Sequence, residues 1–241
     1  MSLFLYFIFI FFIGSTIGYF LELIFRRIVH KKWVNPGFLI GPYLPIYGFG
    51  LCTLTLIYIV VSKVSINPIF VILLMGLCMT LIELIGGLLF LKVGGVKLWD
   101  YSDIKWNYKG IICPSFSFIW ILLGGFYYFF IGDRVLSALD WFKVNMSFSF
   151  ILGIFFGVII IDFIYSTNIL VKIRKFVKEN DFVIKYEEFK KYIKDIQEKN
   201  KEKYSFLFPF RQSKSLKDYL NLYKNKDRKK DKNILFRIFK R

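Results

Sequence analysis

The sequence predicts an all-α membrane protein, a polytopic bundle of about five transmembrane helices followed by a basic cytoplasmic tail. Hydrophobic residues make up 56% of the 241 residues, which is more than a soluble domain of this size carries. Several apolar runs are long enough to cross a hydrocarbon core of about 30 Å as helices. Positive charge is concentrated after the last of these runs. These observations exclude an ordinary soluble enzyme.

The predicted spans follow one another through the first part of the chain. The first begins almost at the initiator and lacks a basic segment and a cleavage site, so we expect a retained helix rather than a cleaved signal. The last predicted span ends at residue 170, so we divide the chain into a transmembrane domain, residues 1–170, and a cytoplasmic tail, residues 171–241. The predicted spans run from Leu3 to Phe25, Phe38 to Val61, Ile69 to Leu91, Ile111 to Ile131 and Phe148 to Leu170.

Charge predicts the orientation of the chain. The net charge is +4 over residues 1–170 and +13 over residues 171–241, which together give the +17 of the whole chain. Basic residues gather after the first, third and fifth spans, all on one side of the membrane. Because cytoplasmic flanks are enriched in Lys and Arg, we expect the N-terminus outside a bacterial plasma membrane and the tail in the cytoplasm. Binding of nucleic acid would need a recognisable module, and the chain has none.

The stretch Asn35–Gly50 combines prolines and glycines with large apolar residues and has no charge. Proline breaks a helix, and glycine lets backbones approach closely. Irregular backbone at membrane depth is tolerated only where it is buried in protein or lines a wet cavity. We therefore predict a broken or re-entrant start of the second span, with a turn at the bilayer surface as the alternative. The predicted hinge residues, including those before the fourth span, are Pro36, Gly37, Gly41, Pro42, Pro45, Gly48, Gly110 and Pro114.

Each odd-numbered span contains one acidic residue: Glu22, Glu83 or Asp162. A carboxylate at membrane depth is costly unless it is paired or faces a polar interior. Arg26 stands four residues after Glu22, so an ion pair on one helix is the alternative there. We expect the Glu22 and Glu83 carboxylates to point into the bundle, toward the stretch 35–47 or the loop 100–107.

The loop Val96–Gly110 is dense in Trp and Tyr, with polar residues between them. Aromatic rings commonly form a belt at the headgroup level, which is the structural interpretation. The functional interpretation brings this loop and the Asn35 stretch together at a cytoplasmic mouth. No catalytic residue or cofactor is predicted, and the single histidine argues against a histidine-based metal site. The candidate polar site is Glu22, Arg26, Asn35, Tyr47, Glu83, Asp100, Tyr101, Ser102, Asn107 and Asp162.

The tail opens with an amphipathic pattern. Phe182, Tyr186, Phe189, Ile193 and Ile196 recur at spacings of four, three, four and three, which predicts one apolar helical face. That face could lie on the anionic inner leaflet or dock on a soluble partner. Beyond residue 199 we expect much of the chain to be disordered.

The Asn35–Gly50 motif, followed by Glu83, Trp99–Ser102, Asn107 and Gly110, resembles the bacterial family of CmpB-type ABC-transporter permeases. The resemblance covers roughly residues 10–170 and implies a membrane permease subunit. The chain contains no Gly-x-x-x-x-Gly-Lys-Ser/Thr motif, so ATP hydrolysis would come from a separate subunit. Five spans would line a pathway only with tight kinks or in an oligomer such as a homodimer.

Two other functions stay open on the sequence. A membrane-embedded enzyme could use the three acids of the spans on a lipid substrate, because carboxylates in a low dielectric acquire raised pKa values. A non-catalytic scaffold could use its tail to recruit a cytoplasmic partner. An enzyme is the less favoured class.

Overall fold

A computed structural model of the chain describes residues 3–31, 33–64, 66–180, 183–199 and 215–226. Within these residues the fold is almost entirely helical, which confirms the all-α class. Five-residue π-helical turns extend α3 through Phe90–Gly94 and join α4 to α5 through Tyr127–Ile131. The helices are α1 Leu3–His30, α2 Pro45–Val61, α3 Pro68–Leu89, α4 Pro114–Phe126, α5 Gly132–Val144, α6 Phe148–Asn180 and α7 Tyr186–Lys199.

Four helical stretches among the described residues are long and apolar enough to cross a membrane. α2 is also apolar but has only 17 residues, about 25 Å at 1.5 Å per residue. Large apolar side chains on α3, α4 and α6 point away from the bundle, as expected for lipid-facing surfaces. The protein is therefore a membrane protein. The four stretches are Leu3–Ile28, Pro68–Gly94, Pro114–Val144 and Phe148–Asn180.

Two helices begin later than the sequence predicts. The second span was expected from Phe38 and the fourth from Ile111, whereas α2 begins at Pro45 and α4 at Pro114. Proline is well suited to the first turn of a helix, where its missing N–H is not needed. The non-helical segment before α2, residues 33–44, is consequently longer than predicted.

The helices pack as two hairpins, α1 with α2 and α3 with α4, and glycines allow their close approach. A Cβ atom added to Gly14 would lie 2.8 Å from the Leu51 Cβ atom, and the Tyr47 ring covers Gly18. Ile121 of α4 covers Gly76 of α3 in the same way. The small residues of α1 therefore serve helix packing.

The tail folds back onto one end of the bundle. The strand β1, Val96–Lys97, pairs in parallel with β2, Ile184–Lys185, and α7 follows directly. We call this end, where residues 33–44, residues 95–113 and α7 lie together, the polar end. A second apolar cluster forms here, separate from the core of the bundle. It includes Val96, Ile173, Phe176, Ile184, Phe189 and Ile193, together with Tyr219 and Tyr223 of the helix at residues 216–226.

This packing corrects the expectation for the amphipathic face of the tail. Tyr186, Phe189 and Ile193 are buried against the chain itself, and Ile196 packs beside them, so the face is covered neither by a leaflet nor by a partner. Phe182 lies outside the described residues. α6 continues through residue 170 without interruption.

Residues 216–226 also depart from the expected disorder, because their apolar side chains join the second cluster. The rest of the chain beyond residue 199 lies outside the described residues.

Candidate functional site

Glu22 of α1 has two bonding partners in the bundle. The Tyr47 hydroxyl donates to one carboxylate oxygen at 2.6 Å, and Arg26 Nε donates to the other at 2.9 Å. The buried Arg26 also forms an ion pair with Glu187 of α7. The ion pair and the inward orientation that the sequence offered as alternatives are thus both present. Glu187, an acid of the tail that the sequence did not predict here, joins Glu22 and Arg26 in this ion-pair network.

Glu83 of α3 is buried, with 5% of its surface exposed, and two neutral donors hold its carboxylate. The Tyr101 hydroxyl donates to one oxygen and Trp120 Nε1 to the other, each at 2.9 Å. Glu22 is close enough to interact with it electrostatically. As expected, both glutamates point into the bundle, toward Tyr47 in one case and Tyr101 in the other.

Asp162 of α6 binds the irregular segment before α2. Its carboxylate accepts the backbone N–H groups of Ile40, at 2.9 Å, and Gly41, at 2.8 Å. The hydroxyls of Tyr43 and Ser166 donate to it at 2.5 Å and 2.9 Å. Because buried backbone donors need acceptors, this buried carboxylate fixes where the segment lies.

Asn35 organises the start of the same segment. Its side-chain amide donates to the Leu39 and Ile40 carbonyls at 3.3 and 2.9 Å, and its oxygen accepts the Gly37 N–H at 3.0 Å. Lys190 of α7 donates to the backbone carbonyls of Asn35 and Gly37, both at 2.6 Å. The tail therefore holds the segment from outside, while Asp162 holds it from inside.

Lys190 is buried, with 3% of its surface exposed. Burial is the main cause that lowers the pKa of Lys190, the positive charge of Arg26 acts in the same direction and Glu187 opposes them, with the result that the pKa is lowered to about 7. The ring of Tyr186 lies 4.7 Å from its ammonium group. A lysine in this position is close to losing its charge at neutral pH.

Asp100 is bound by both the loop and the tail. Lys97, Ser102 and Lys185 donate to it at 2.9, 2.5 and 2.7 Å. Burial alone would raise the pKa of Asp100, but the hydrogen bonds from Lys185, Ser102 and Lys97 outweigh it and lower the pKa to about 2. Asp100 is therefore ionised at any physiological pH.

Asn107 shapes the rest of this loop. Its amide donates to the Ser102 and Ile104 carbonyls, at 3.3 and 2.7 Å, and its oxygen accepts the Gly110 N–H at 2.8 Å. Gly110 has a φ of +70°, and a Cβ atom there would lie 2.5 Å from the Ser102 hydroxyl. Asp100, Ser102 and Asn107 thus bond to the loop and the tail rather than to the Asn35 stretch. Among the described residues of this loop, only Tyr101 forms a hydrogen bond to an acid of the bundle, Glu83.

The predicted hinge residues have different roles. Pro45 and Pro114 open α2 and α4. Gly48 packs against Phe11, where an added Cβ atom would lie 2.7 Å from the ring. Gly37 donates to Asn35 and Gly41 to Asp162, while Pro36 and Pro42 lie in the same non-helical segment.

A family model described as "Putative ABC-transporter type IV" matches residues 9–167, well over half of the chain. The chain belongs to this family. No curated protein and no solved structure matches the chain. Across the described residues, no group of three or more His, Cys, Asp or Glu side chains could hold a metal ion.

The site residues of this CmpB-type family member that the sequence did not predict lie half within the matched range and half in the tail beyond it. Only weak signals pointed to them. Lys190 falls four residues after Tyr186 and three before Ile193, on the apolar face of α7, which is an unusual place for a lysine. Tyr43 and Trp120 carried no signal beyond their aromatic character. The missed residues are Tyr43, Lys97, Trp120, Ser166, Lys185, Glu187, Lys190 and Lys194.

Proposed function

We propose that the chain is the membrane permease subunit of an ABC-type transporter and that a separate subunit hydrolyses ATP. The observation that carries this proposal is the placement of Glu22, Glu83 and Asp162 at one end of an apolar bundle. Ionisable groups within membrane spans generally mark pathways for ions or substrates. Membership in the family supports the same class. The absence of a P-loop from the sequence supports hydrolysis by another chain.

In this proposal the polar end faces the cytoplasm of a bacterial plasma membrane, and the N-terminus lies outside. The support is the charge of the sequence, because the basic residues follow helices that end at the polar end. Residues 1–170 would form the membrane domain and residues 171–241 the cytoplasmic tail. An ATPase subunit would then meet the chain at the polar end.

Glu83 is the residue we assign the central role. Glu22 is paired with Arg26, and the Asp162 carboxylate already accepts bonds from four groups, whereas Glu83 has only two donors within the described part of the chain, both neutral. It is therefore the acid most able to exchange a proton or to receive a cationic group of a substrate. Tyr101 and Trp120 would orient it for that step.

A homodimer would supply the pathway in this proposal. Four long spans and the shorter α2 form two closely packed hairpins. Two copies would place two sets of acids on either side of a shared passage. The two alternatives fit less well. Two of the three acids that a lipid-modifying enzyme would use are already bonded, and the apolar face of α7, in the basic tail with which a scaffold would recruit a partner, is covered by the chain itself.

The proposal is tested by purifying the tagged full chain from its native membranes in mild detergent and identifying what copurifies. We expect a P-loop ATPase to copurify in stoichiometric amount. We also expect the chain to stimulate ATP hydrolysis, so that the reconstituted pair hydrolyses ATP and the ATPase alone does not. Glu83→Gln should remove the stimulation. Asp140→Asn, at a side chain that is 69% exposed on α5, should keep it.

Recovery of the chain without an ATPase would count against the permease subunit. So would equal stimulation by the wild type and Glu83→Gln, since that would leave Glu83 without a role.

A further inference from the structure

The tail touches both irregular connections of the bundle. β2 pairs with β1 in the α3–α4 connection, and Lys185 reaches Asp100 in the same connection at 2.7 Å. α7 begins at the next residue and lies against the α1–α2 connection. A short segment, residues 184–194, therefore binds two parts of the chain that share no hydrogen bond among the described residues.

Three side chains of α7 face the α1–α2 connection. Glu187, Lys190 and Lys194 are spaced three and four residues apart, which places them on one face of the helix. Glu187 pairs with Arg26 at the end of α1. Lys190 binds two carbonyls at the start of the segment 33–44, and Lys194 donates to the Trp33 carbonyl at 2.9 Å.

We propose that residues 184–194 form a latch that holds the two connections at the polar end, with Lys190 as its central positioning residue. The latch is connected to three acids of the polar end, either by a direct bond or through one intervening group. Arg26 leads to Glu22, the segment 33–44 leads to Asp162, and Lys185 bonds Asp100 directly. Release of the latch would remove the Lys185 bond to Asp100 and, at the same time, loosen the groups that bind Glu22 and Asp162. The proposal concerns the fold of this chain and stands whether or not the chain transports a substrate.

The latch can open without unfolding the spans, because the apolar residues behind it form a separate cluster. The core of the bundle includes Phe9, Met75, Phe142 and Leu152, and none of these belongs to the cluster around α7. The carbonyls that Lys190 binds lie at the polar end, where water can replace the ammonium group. Local opening of such a unit costs less than global unfolding.

Hydrogen exchange of the full chain in lipid nanodiscs tests the latch. The reporters are the amides of Gly37, Ile40 and Gly41, which lie in the segment 33–44 and donate to the side chains of Asn35 and Asp162. In Lys190→Met, which keeps the apolar stem but removes the donors, we expect their exchange to rise by about tenfold or more. The amides of α3 in the bundle core should keep their wild-type rates. Lys191→Met is the matched control and should leave the reporters unchanged.

Two results would overturn the latch. Unchanged reporters in Lys190→Met would mean that Asn35 and Asp162 hold the segment without help from the tail. Faster exchange throughout the bundle would mean that Lys190 stabilises the whole fold rather than one segment.

If Lys190→Met does not fold, Lys194→Met replaces it, since the Lys194 side chain is partly exposed and its loss is milder. That variant should raise exchange in the same segment by a smaller factor. An unchanged rate at the reporters would reject the latch.

Discussion

Asp162 offers the sharpest test of how the irregular segment before α2, residues 33–44, is held in place. Replacing it with alanine leaves the N–H groups of Ile40 and Gly41 and the Tyr43 hydroxyl without their acceptor. Each unsatisfied buried polar group costs about 1 to 3 kcal/mol. Water reaching the polar end would relieve part of this cost. We expect Asp162→Ala to lower the free energy of unfolding by about 5 kcal/mol.

Asp162→Asn separates the charge from the hydrogen bonds. An asparagine oxygen has two lone pairs, so it can still accept from two of the three donors it faces, the N–H groups of Ile40 and Gly41 and the Tyr43 hydroxyl, and its amide can donate to the Ser166 oxygen. Hydrogen bonds to a charged acceptor contribute about 1.5 to 3 kcal/mol each, against about 0.5 to 1.5 for neutral ones. The expected loss is about 2 to 3 kcal/mol, smaller than for alanine.

The measurement is denaturant or thermal unfolding of the full chain in detergent, followed by tryptophan fluorescence, together with proteolysis of the segment 33–44. The order of stability should be wild type, Asp162→Asn, then Asp162→Ala, and only the alanine variant should be cleaved rapidly in the segment. Asp140→Ala is the control, because its exposed ion pair contributes little. An alanine variant as stable as the wild type would show that the segment does not depend on Asp162.

Three further predictions follow from other contacts. Because the folded state lowers the pKa of Lys190 to about 7 from the ordinary value near 10.4, the folded state binds fewer protons between these pH values. Docking of α7, measured by hydrogen exchange, should therefore strengthen from pH 7 to pH 9, by about 2 kcal/mol at most, and stay flat in Lys190→Met. The free energy of unfolding of Glu83→Gln should lie within about 1 kcal/mol of the wild-type value, because the glutamine amide can accept from Trp120 and donate to Tyr101. A larger loss would mean that the negative charge of Glu83 itself stabilises the fold. Gly18→Ala should lower the free energy of unfolding by about 1 to 3 kcal/mol, because the Tyr47 ring of α2 occupies the space that a Cβ atom at Gly18 would need. Gly153→Ala should be neutral, because no atom lies within 4 Å of a Cβ atom placed there. Equal effects of the two substitutions would contradict close packing of α1 on α2.

The sequence predicted those features that follow from the free energy of placing each type of residue in a membrane. Apolar runs and charge predicted the helical membrane class, and the position of the prolines predicted an irregular start before α2. The cost of burying a carboxylate predicted that Glu22 and Glu83 would point inward. Each of these arguments needs only a residue and its near neighbours, so no knowledge of packing was required.

The tertiary structure decided which groups meet. Asp162 binds Ile40 across 122 positions of the chain, and Lys190 binds Asn35 across 155. No local pattern identifies such pairs, because they depend on how α6 and α7 come to lie beside the segment 33–44. The apolar face of α7 was readable from its spacing, but the surface that covers it was not. That surface is the chain's own second cluster, which lies at the polar end, where β2 pairs with β1 and the tail returns to the bundle.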